Sequence, residues 1–339
     1  MKRAWLLLVL ISALIRGQYA DIPDVVTKVA TASGNWLKLE TGARAVGLGG
    51  AYVALGSGVD GIPYNPASVG FLQGQEVFLS QTKYLAGVEY NVLAYGRQVT
   101  RSDYVGLHIF YLDSGPMKVT NEYYPNGTGE DFKVTSLSMR FTYARRLTDR
   151  LKVGGSVNWL RDDIYTTRSQ SVAFDIGSNF DTGIYGFILG MSVTNFGPDV
   201  QFGGEGLEQT VQDTVSVDGR LSKVTGHFPI PLTFRLGIRN DLIGPESVFI
   251  KSATSRLTLV ADGTNPLDYV VTGNMGMEYA WREQAFVRLG THLGHDTAGL
   301  SFGGGIQTQI RGMLIGVDYA FVTYGILDNT QQVSLQVGF

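Results

Sequence analysis

One glycine-rich run has residue types that could hold a phosphate, at Gly47, Gly49 and Gly50. A dinucleotide-binding loop needs such glycines between a strand and a helix of a βαβ unit, where the helix N-terminus faces the pyrophosphate. The run lies instead in a compact segment of small residues, 42–55, in which glycine and alanine let the backbone approach its neighbours closely. We therefore interpret the three glycines as packing residues and predict no cofactor site.

Four histidines could ligate a metal ion or act in acid–base chemistry, but their spacing does not favour either role. His292 and His295 are three residues apart, on a predicted strand and the loop after it, so opposite parity predicts side chains on different faces. His108 and His227 have no partner at metal-site spacing, and the chain has no cysteine. We predict no metal site and no catalytic residues. Enzymatic activity stays open as an alternative, because strand parity alone does not assemble a catalytic site.

Five charged residues occupy polar positions of alternating segments and are predicted to face the inner side of a sheet: Arg140, Arg235, Glu278, Arg288 and Asp318. Two functions are conceivable for them, anchoring an enclosed segment or lining a polar path. The simpler interpretation is that they compensate each other's charge in a watery interior.

Alternation of apolar and polar residues places these charges on strands. Met313, Ile315 and Val317 point to one side of such a strand, and Gly316 and Asp318 to the other. From residue 76 onward the pattern repeats between turn residues. It predicts fourteen strands, at about 76–84, 88–99, 102–113, 135–147, 151–165, 171–181, 184–196, 230–243, 255–262, 270–282, 285–294, 299–310, 312–324 and 330–339.

The final predicted strand carries an aromatic terminus. Val333, Leu335, Val337 and Phe339 share one face, which is typical of the closing strand of a bacterial outer-membrane barrel and of the signal read during its assembly. A soluble β-sandwich also alternates, but it rarely combines strands of this length with an export signal and such an ending. The predicted fold is an all-β transmembrane antiparallel β-barrel of about 14 strands, with an N-terminal hatch or plug segment in the lumen.

Composition agrees with a membrane barrel. Of 339 residues, 44% are hydrophobic and only 17% are charged, and there are 44 glycines with 17 tyrosines and 17 phenylalanines. The net charge of −3 and the pI near 5.8 argue against a nucleic-acid partner. Outer-membrane lipid is the expected partner of the apolar face.

The chain divides into three predicted parts. Residues 1–20 read as a cleaved signal peptide, since Lys2 and Arg3 precede an apolar run too short to cross a bilayer as a helix. Residues 21–75 form the hatch segment and residues 76–339 the barrel. Connections at one predicted end are tight apart from that near Gly244, whereas 114–134 and 197–229 at the other are long. This asymmetry predicts a periplasmic and an outer end, and an outer-membrane location.

The run "GARAVGLGGAYVALG…GIPYNPASVGFL" resembles the start of the PorV/PorQ family, outer-membrane proteins similar to FadL that are associated with type IX secretion. The triplet Asn65, Pro66 and Ala67 is also similar to the hatch motif of FadL-type transporters. The resemblance implies a fourteen-stranded barrel with a luminal hatch. We interpret Asn65, Pro66 and Ala67 as structural residues of that hatch, with a role of Asn65 and Pro66 in gating as the alternative. It also implies binding of secreted cargo C-terminal domains and contact with type IX secretion components. The alternative is a FadL-like passive transporter of hydrophobic small molecules.

Overall fold

A computed structural model describes residues 31–211 and 219–339 and shows a closed barrel of fourteen antiparallel strands. The predicted signal peptide, 1–20, and the start of the predicted hatch, 21–30, lie outside the described residues. The wall strands are β1 Gln75–Lys83, β2 Glu89–Gln98, β3 Asp103–Asp113, β4 Val134–Arg146, β5 Leu151–Ile164, β6 Thr167–Asp181, β7 Ile188–Phe196, β8 Thr233–Gly244, β9 Ser255–Pro266, β10 Thr272–Trp281, β11 Ala285–Leu293, β12 Leu300–Ile310, β13 Met313–Thr323 and β14 Asn329–Gly338.

Each strand pairs with the next in sequence, and the first pairs with the last. Strand β1 runs antiparallel to β14 from Glu76 opposite Gly338 to Lys83 opposite Gln331. The backbone of Phe339 exchanges two hydrogen bonds with Gln75, of 2.8 and 2.9 Å, at the end of this seam. Closure pairs the wall strands on both sides, so the barrel has no free edge. The predicted fold class is therefore confirmed.

The alternation in the sequence separates the outside of the barrel from its lumen. On β14, Val333 is half exposed on the outer face, together with Leu335, Val337 and Phe339, whereas Gln332 and Ser334 are buried inside. The five charged residues predicted to point inward all do so. Polar side chains in the lumen and apolar ones outside are the arrangement of a membrane barrel.

Most predicted strand limits agree with the structure within two residues, and four differ more. Strand β6 starts four residues early, at Thr167, because the β5–β6 connection is only two residues long. Strand β7 starts at Ile188, because a turn closed by the Thr182 side chain occupies 182–187. Strand β8 starts at Thr233, after two prolines that cannot donate to a ladder, and β9 continues to Pro266.

The connections differ between the two ends of the barrel. At the short-turn end they span 99–102, 147–150, 182–187, 245–254, 282–284 and 311–312. At the long-loop end two connections are much longer, 114–133 and 197–232. These contain the short strand pairs Met117–Lys118 with Asp131–Phe132, and Glu208–Val211 with Gly219–Ser222. The predicted exception near Gly244 is the ten-residue turn 245–254, which holds the short strand Ile250–Lys251.

Residues 31–74, here called the inner segment, lie inside the barrel. Its helical turns are Asn35–Lys38, α1 Ala43–Gly47, Val59–Gly61 and Pro66–Phe71. Helix α1 packs on β11 to β14, while Pro66–Phe71 packs on β3 to β6 at the opposite wall. Among the described residues, no helix has the length and hydropathy that a membrane crossing requires.

The apolar core lies between the inner segment and the wall. Val59, Ile62 and Val69 pack with wall residues such as Phe78 and Val92. Wall glycines make this close packing feasible: a Cβ on Gly290 would lie 2.2 Å from the Gly49 nitrogen, and one on Gly190 would lie 2.4 Å from the Val53 oxygen. The backbone of the inner segment therefore occupies the space that wall side chains would otherwise fill.

Candidate functional site

A cavity of about 420 Å³ opens within the barrel at the long-loop end, above the inner segment. We call it the outer cavity. Its floor includes Leu39, Val46 and Tyr64 of the inner segment, and its walls come from the outer ends of strands and their loops. This volume falls in the range of small-molecule sites in proteins. A second cavity, of about 370 Å³, lies at the short-turn end.

Five tyrosines line the outer cavity: Tyr64, Tyr84, Tyr90, Tyr269 and Tyr324. Three of them form a cluster, here called the tyrosine cluster: the ring centroid of Tyr84 lies 5.9 Å from that of Tyr90 and 5.9 Å from that of Tyr324. Hydrogen bonds fix two of the rings. The Tyr90 hydroxyl donates to the Glu40 carbonyl at 2.7 Å, and the Tyr64 hydroxyl bonds the Thr41 backbone at 2.9 and 3.0 Å. The rings thus present fixed aromatic surfaces.

Charged groups in the outer cavity are mostly paired. Lys38 donates to Asp268 at 2.6 Å, and Glu40 lies 2.9 Å from Nε2 of His292. Burial raises the pKa of Tyr64 well above its ordinary value, because the anionic phenolate would lose hydration, so Tyr64 stays a neutral phenol. Burial likewise lowers the pKa of His295, which favours the neutral imidazole. The site therefore combines apolar surface with a few placed polar groups.

The predicted separation of His292 and His295 is wrong. Both line the outer cavity, and their ring centroids are 6.0 Å apart. Parity applies only along a strand, and β11 ends at Leu293, so the loop that follows turns His295 back over the lumen. In the part of the chain that the structure describes, no group of three His, Cys, Asp or Glu residues could hold a metal ion.

The three predicted packing glycines lie against the wall and against Glu40 of the inner segment. A Cβ on Gly47 would lie 2.9 Å from the Gly303 Cα, and one on Gly49 would lie 2.6 Å from the Thr291 nitrogen. Gly50 has φ +75 and reaches the outer cavity, where a Cβ would lie 2.0 Å from Oε1 of Glu40.

Asn65 joins the inner segment to the wall. Its side-chain amide donates to the Val53 and Ser178 carbonyls at 3.0 Å, and its Oδ1 accepts from the Ala67 nitrogen at 3.0 Å, capping the turn Pro66–Phe71. Pro66 and Ala67 are fully buried in that turn. Asn65, Pro66 and Ala67 pack between the inner segment and the wall and do not line the outer cavity.

The tyrosines of the cavity are not among the predicted site residues, although the sequence contains a signal for them. Tyr84 and Tyr324 directly follow β1 and β13, Tyr90 is the second residue of β2, and Tyr269 lies in the loop after β9. All four are at the same end of the barrel. Aromatic residues at the long-loop ends of several strands therefore mark this site.

Comparisons with solved structures give one clear result. The toluene transporter TbuX of Ralstonia pickettii superposes with a TM-score of 0.55 at 14% identity, covering 88% of this chain and 98% of that one. The toluene transporter TodX of Pseudomonas putida gives 0.54 at 12% identity, with 88% and 97% covered. This chain has their fold.

Sequence comparison adds no relative, since no family model and no curated protein matches the chain. A mutant TodX, described as a monoaromatic hydrocarbon channel, also superposes, with a TM-score of 0.52 at 11% identity. At these identities the likeness establishes the barrel architecture and leaves the ligand to be inferred from the cavity itself.

Proposed function

We propose that this chain is a bacterial outer-membrane barrel that takes up small hydrophobic compounds, aromatic ones above all, through the outer cavity. The cavity lined by five tyrosines carries the proposal, because fixed rings stack on aromatic ligands and an enclosed space removes them from water. Structural neighbours named as toluene transporters support the same function.

The outer surface supports a membrane location. Large apolar side chains such as Leu236, Leu259, Met275 and Leu289 are exposed on the neighbouring strands β8 to β11. A contiguous apolar belt of this kind is the lipid-facing surface of a barrel, with short turns on the periplasmic side and long loops outside. The outer cavity then faces the external medium.

The cargo-binding role implied by the PorV/PorQ resemblance stays a prediction. The solved neighbours are described as transporters and channels for small molecules, so they favour the transporter alternative. The loop expected to bind cargo, 197–229, includes residues outside the described ones. Transport of a hydrophobic solute is therefore the function that the cavity supports best.

Filling the cavity tests the proposal. Ala298 lines it from a loop, so Ala298→Trp should occupy the space without altering the wall. With the detergent-solubilised protein, ¹⁹F NMR of fluorobenzene should show line broadening that Ala298→Trp removes. Val287→Trp, on the outer face, is the matched control and should broaden the signal as the unmodified chain does. Equal broadening in all three proteins would contradict binding in this cavity.

A further inference from the structure

Arg235 differs from Lys38, the other long basic side chain of the outer cavity, in having no counter-ion among the described residues. Lys38 pairs with Asp268 at 2.6 Å. The Arg235 guanidinium forms no ion pair with any described residue, and its one hydrogen bond runs from Nη1 to Oγ1 of Thr194 at 2.8 Å. The remaining donors of this planar group are left for a ligand.

The luminal aspartates on nearby strands are engaged elsewhere. On β9, Oδ2 of Asp262 accepts from the Tyr52 and Val53 nitrogens at 2.6 and 2.8 Å. On β6, Asp175 accepts from Nε of Arg140 at 3.2 Å and from the Asn195 nitrogen at 2.7 Å. These bonds orient both carboxylates, and neither forms an ion pair with Arg235.

An uncompensated cation inside an aromatic cavity is unfavourable, and a bound anion removes that penalty. A guanidinium binds a carboxylate through two parallel hydrogen bonds, which fix both the position and the orientation of the acid. The tyrosine rings of the same cavity offer surface for an aromatic body.

We propose that the outer cavity binds a small aromatic acid, whose carboxylate pairs with Arg235 while its ring packs on Tyr64 and the tyrosine cluster. This inference rests on the proposed function and narrows its ligand to an anionic aromatic compound. The cation then selects the acid over a neutral molecule of the same shape.

Calorimetric titration of the detergent-solubilised full chain with 2-naphthoate and with neutral 2-naphthalenemethanol tests the proposal. The acid should bind about tenfold more tightly than the alcohol, or about 1.4 kcal/mol. Arg235→Gln should abolish this preference, so that acid and alcohol bind with similar affinity, and Arg235→Lys should keep part of it. Arg239→Gln is the matched control, since Arg239 lies on the same face of β8 but lines the other cavity.

The outcomes distinguish a failure of the Arg235 proposal from a failure of the proposed function. Equal affinity for acid and alcohol, or an acid preference that survives in Arg235→Gln, would overturn the role of Arg235 and leave hydrophobic uptake standing. Octanoate should bind more weakly than 2-naphthoate. Equal or tighter binding of octanoate would refute the preference of the cavity for an aromatic acid. Failure of the unmodified chain to bind any of the three compounds would refute the proposed function and this inference together.

Discussion

Glu278 is the residue on which the charges of the lumen converge. Its fully buried carboxylate accepts from Nε and Nη2 of Arg44 at 2.9 Å, from Nε of Arg288 at 2.7 Å and from Nη2 of Arg256 at 3.0 Å. Arg44 belongs to the inner segment and the other two arginines to the wall. A single carboxylate thus links the two parts of the molecule.

Glu278→Gln should lower the free energy of unfolding by about 3–5 kcal/mol, because it breaks a buried charge network and leaves the Arg44 guanidinium without its ion pair. Urea titration of the reconstituted barrel, followed by tryptophan fluorescence, measures this change. Glu283→Gln is the control: that carboxylate pairs with Arg256 but its side chain is 54% exposed, so the loss should stay below about 1 kcal/mol. Similar losses in both variants would contradict a special role of Glu278.

At the scale of the element, inward glycines let the inner segment fit against the wall. Gly154, Gly190 and Gly290 lie on three different strands, and at each a Cβ would come within 2.6 Å of inner-segment backbone. Backbone atoms cannot move aside as a flexible side chain does. The strands therefore need glycine where the inner segment crosses them.

Gly290→Ala should displace the inner segment. Because the chain has no cysteine, Ala51→Cys places a single thiol at a fully buried position of that segment. Maleimide should label this thiol slowly in the parent and much faster when Gly290→Ala is added. Gly304→Ala, where the new Cβ meets nothing closer than 3.8 Å, is the control and should leave labelling slow. Slow labelling with Gly290→Ala would show that the contact adapts.

Strand β13 gives a direct test of which face meets lipid. Val317 is exposed on the outer face, whereas Asp318 bonds Arg288 at 2.5 Å in the lumen. Val317→Arg should cost about 2–4 kcal/mol near the membrane midplane and impair assembly. Asp318→Asn should cost less, because Arg288 keeps its pair with Glu278. The yield of assembled protein in outer membranes compares the two variants. A lower yield for Asp318→Asn than for Val317→Arg would mean that the register of β13 is shifted by one residue.

At the scale of the whole molecule, the inner segment separates the outer cavity from the one at the short-turn end. Leu48, Tyr52, Val53 and Ile62 of this segment are fully buried between the two. The cavity at the short-turn end is lined by charged residues such as Arg44, Arg239 and Arg256, so the two cavities differ in polarity. An apolar ligand therefore needs either a shift of this segment or a lateral exit.

Proteoliposomes containing the intact protein should exclude small hydrophilic solutes, because the inner segment fills the barrel. Removing residues 35–72 should open a water-filled pore and allow swelling in arabinose. Heat-dependent mobility on a detergent gel checks that the shortened barrel still closes, since a complete strand ladder resists unfolding by detergent. Rapid swelling with the intact protein would contradict a filled lumen.

The wall of this protein could be predicted from the sequence alone. Residue alternation is a local property, so the pattern around Val317 and Asp318 predicts both the strand and its two faces without knowledge of its partners. Fourteen such segments, an aromatic last strand and the asymmetry of connections predict a closed barrel. The predicted starts of β7 and β8 were wrong. A turn closed by the Thr182 side chain precedes β7, and two prolines precede Thr233 at the start of β8.

The candidate site depends on the tertiary structure. Lys38, Tyr84, Arg235 and Tyr324 are far apart in sequence, and they line one cavity because the barrel closes around the inner segment, to which Lys38 belongs. His295 joins them because its loop folds over the lumen, beyond the reach of strand parity. That Arg235 lacks an ion-pair partner among the described residues also depends on the tertiary structure, because Asp262 and Asp175 on nearby strands are oriented by hydrogen bonds to other groups.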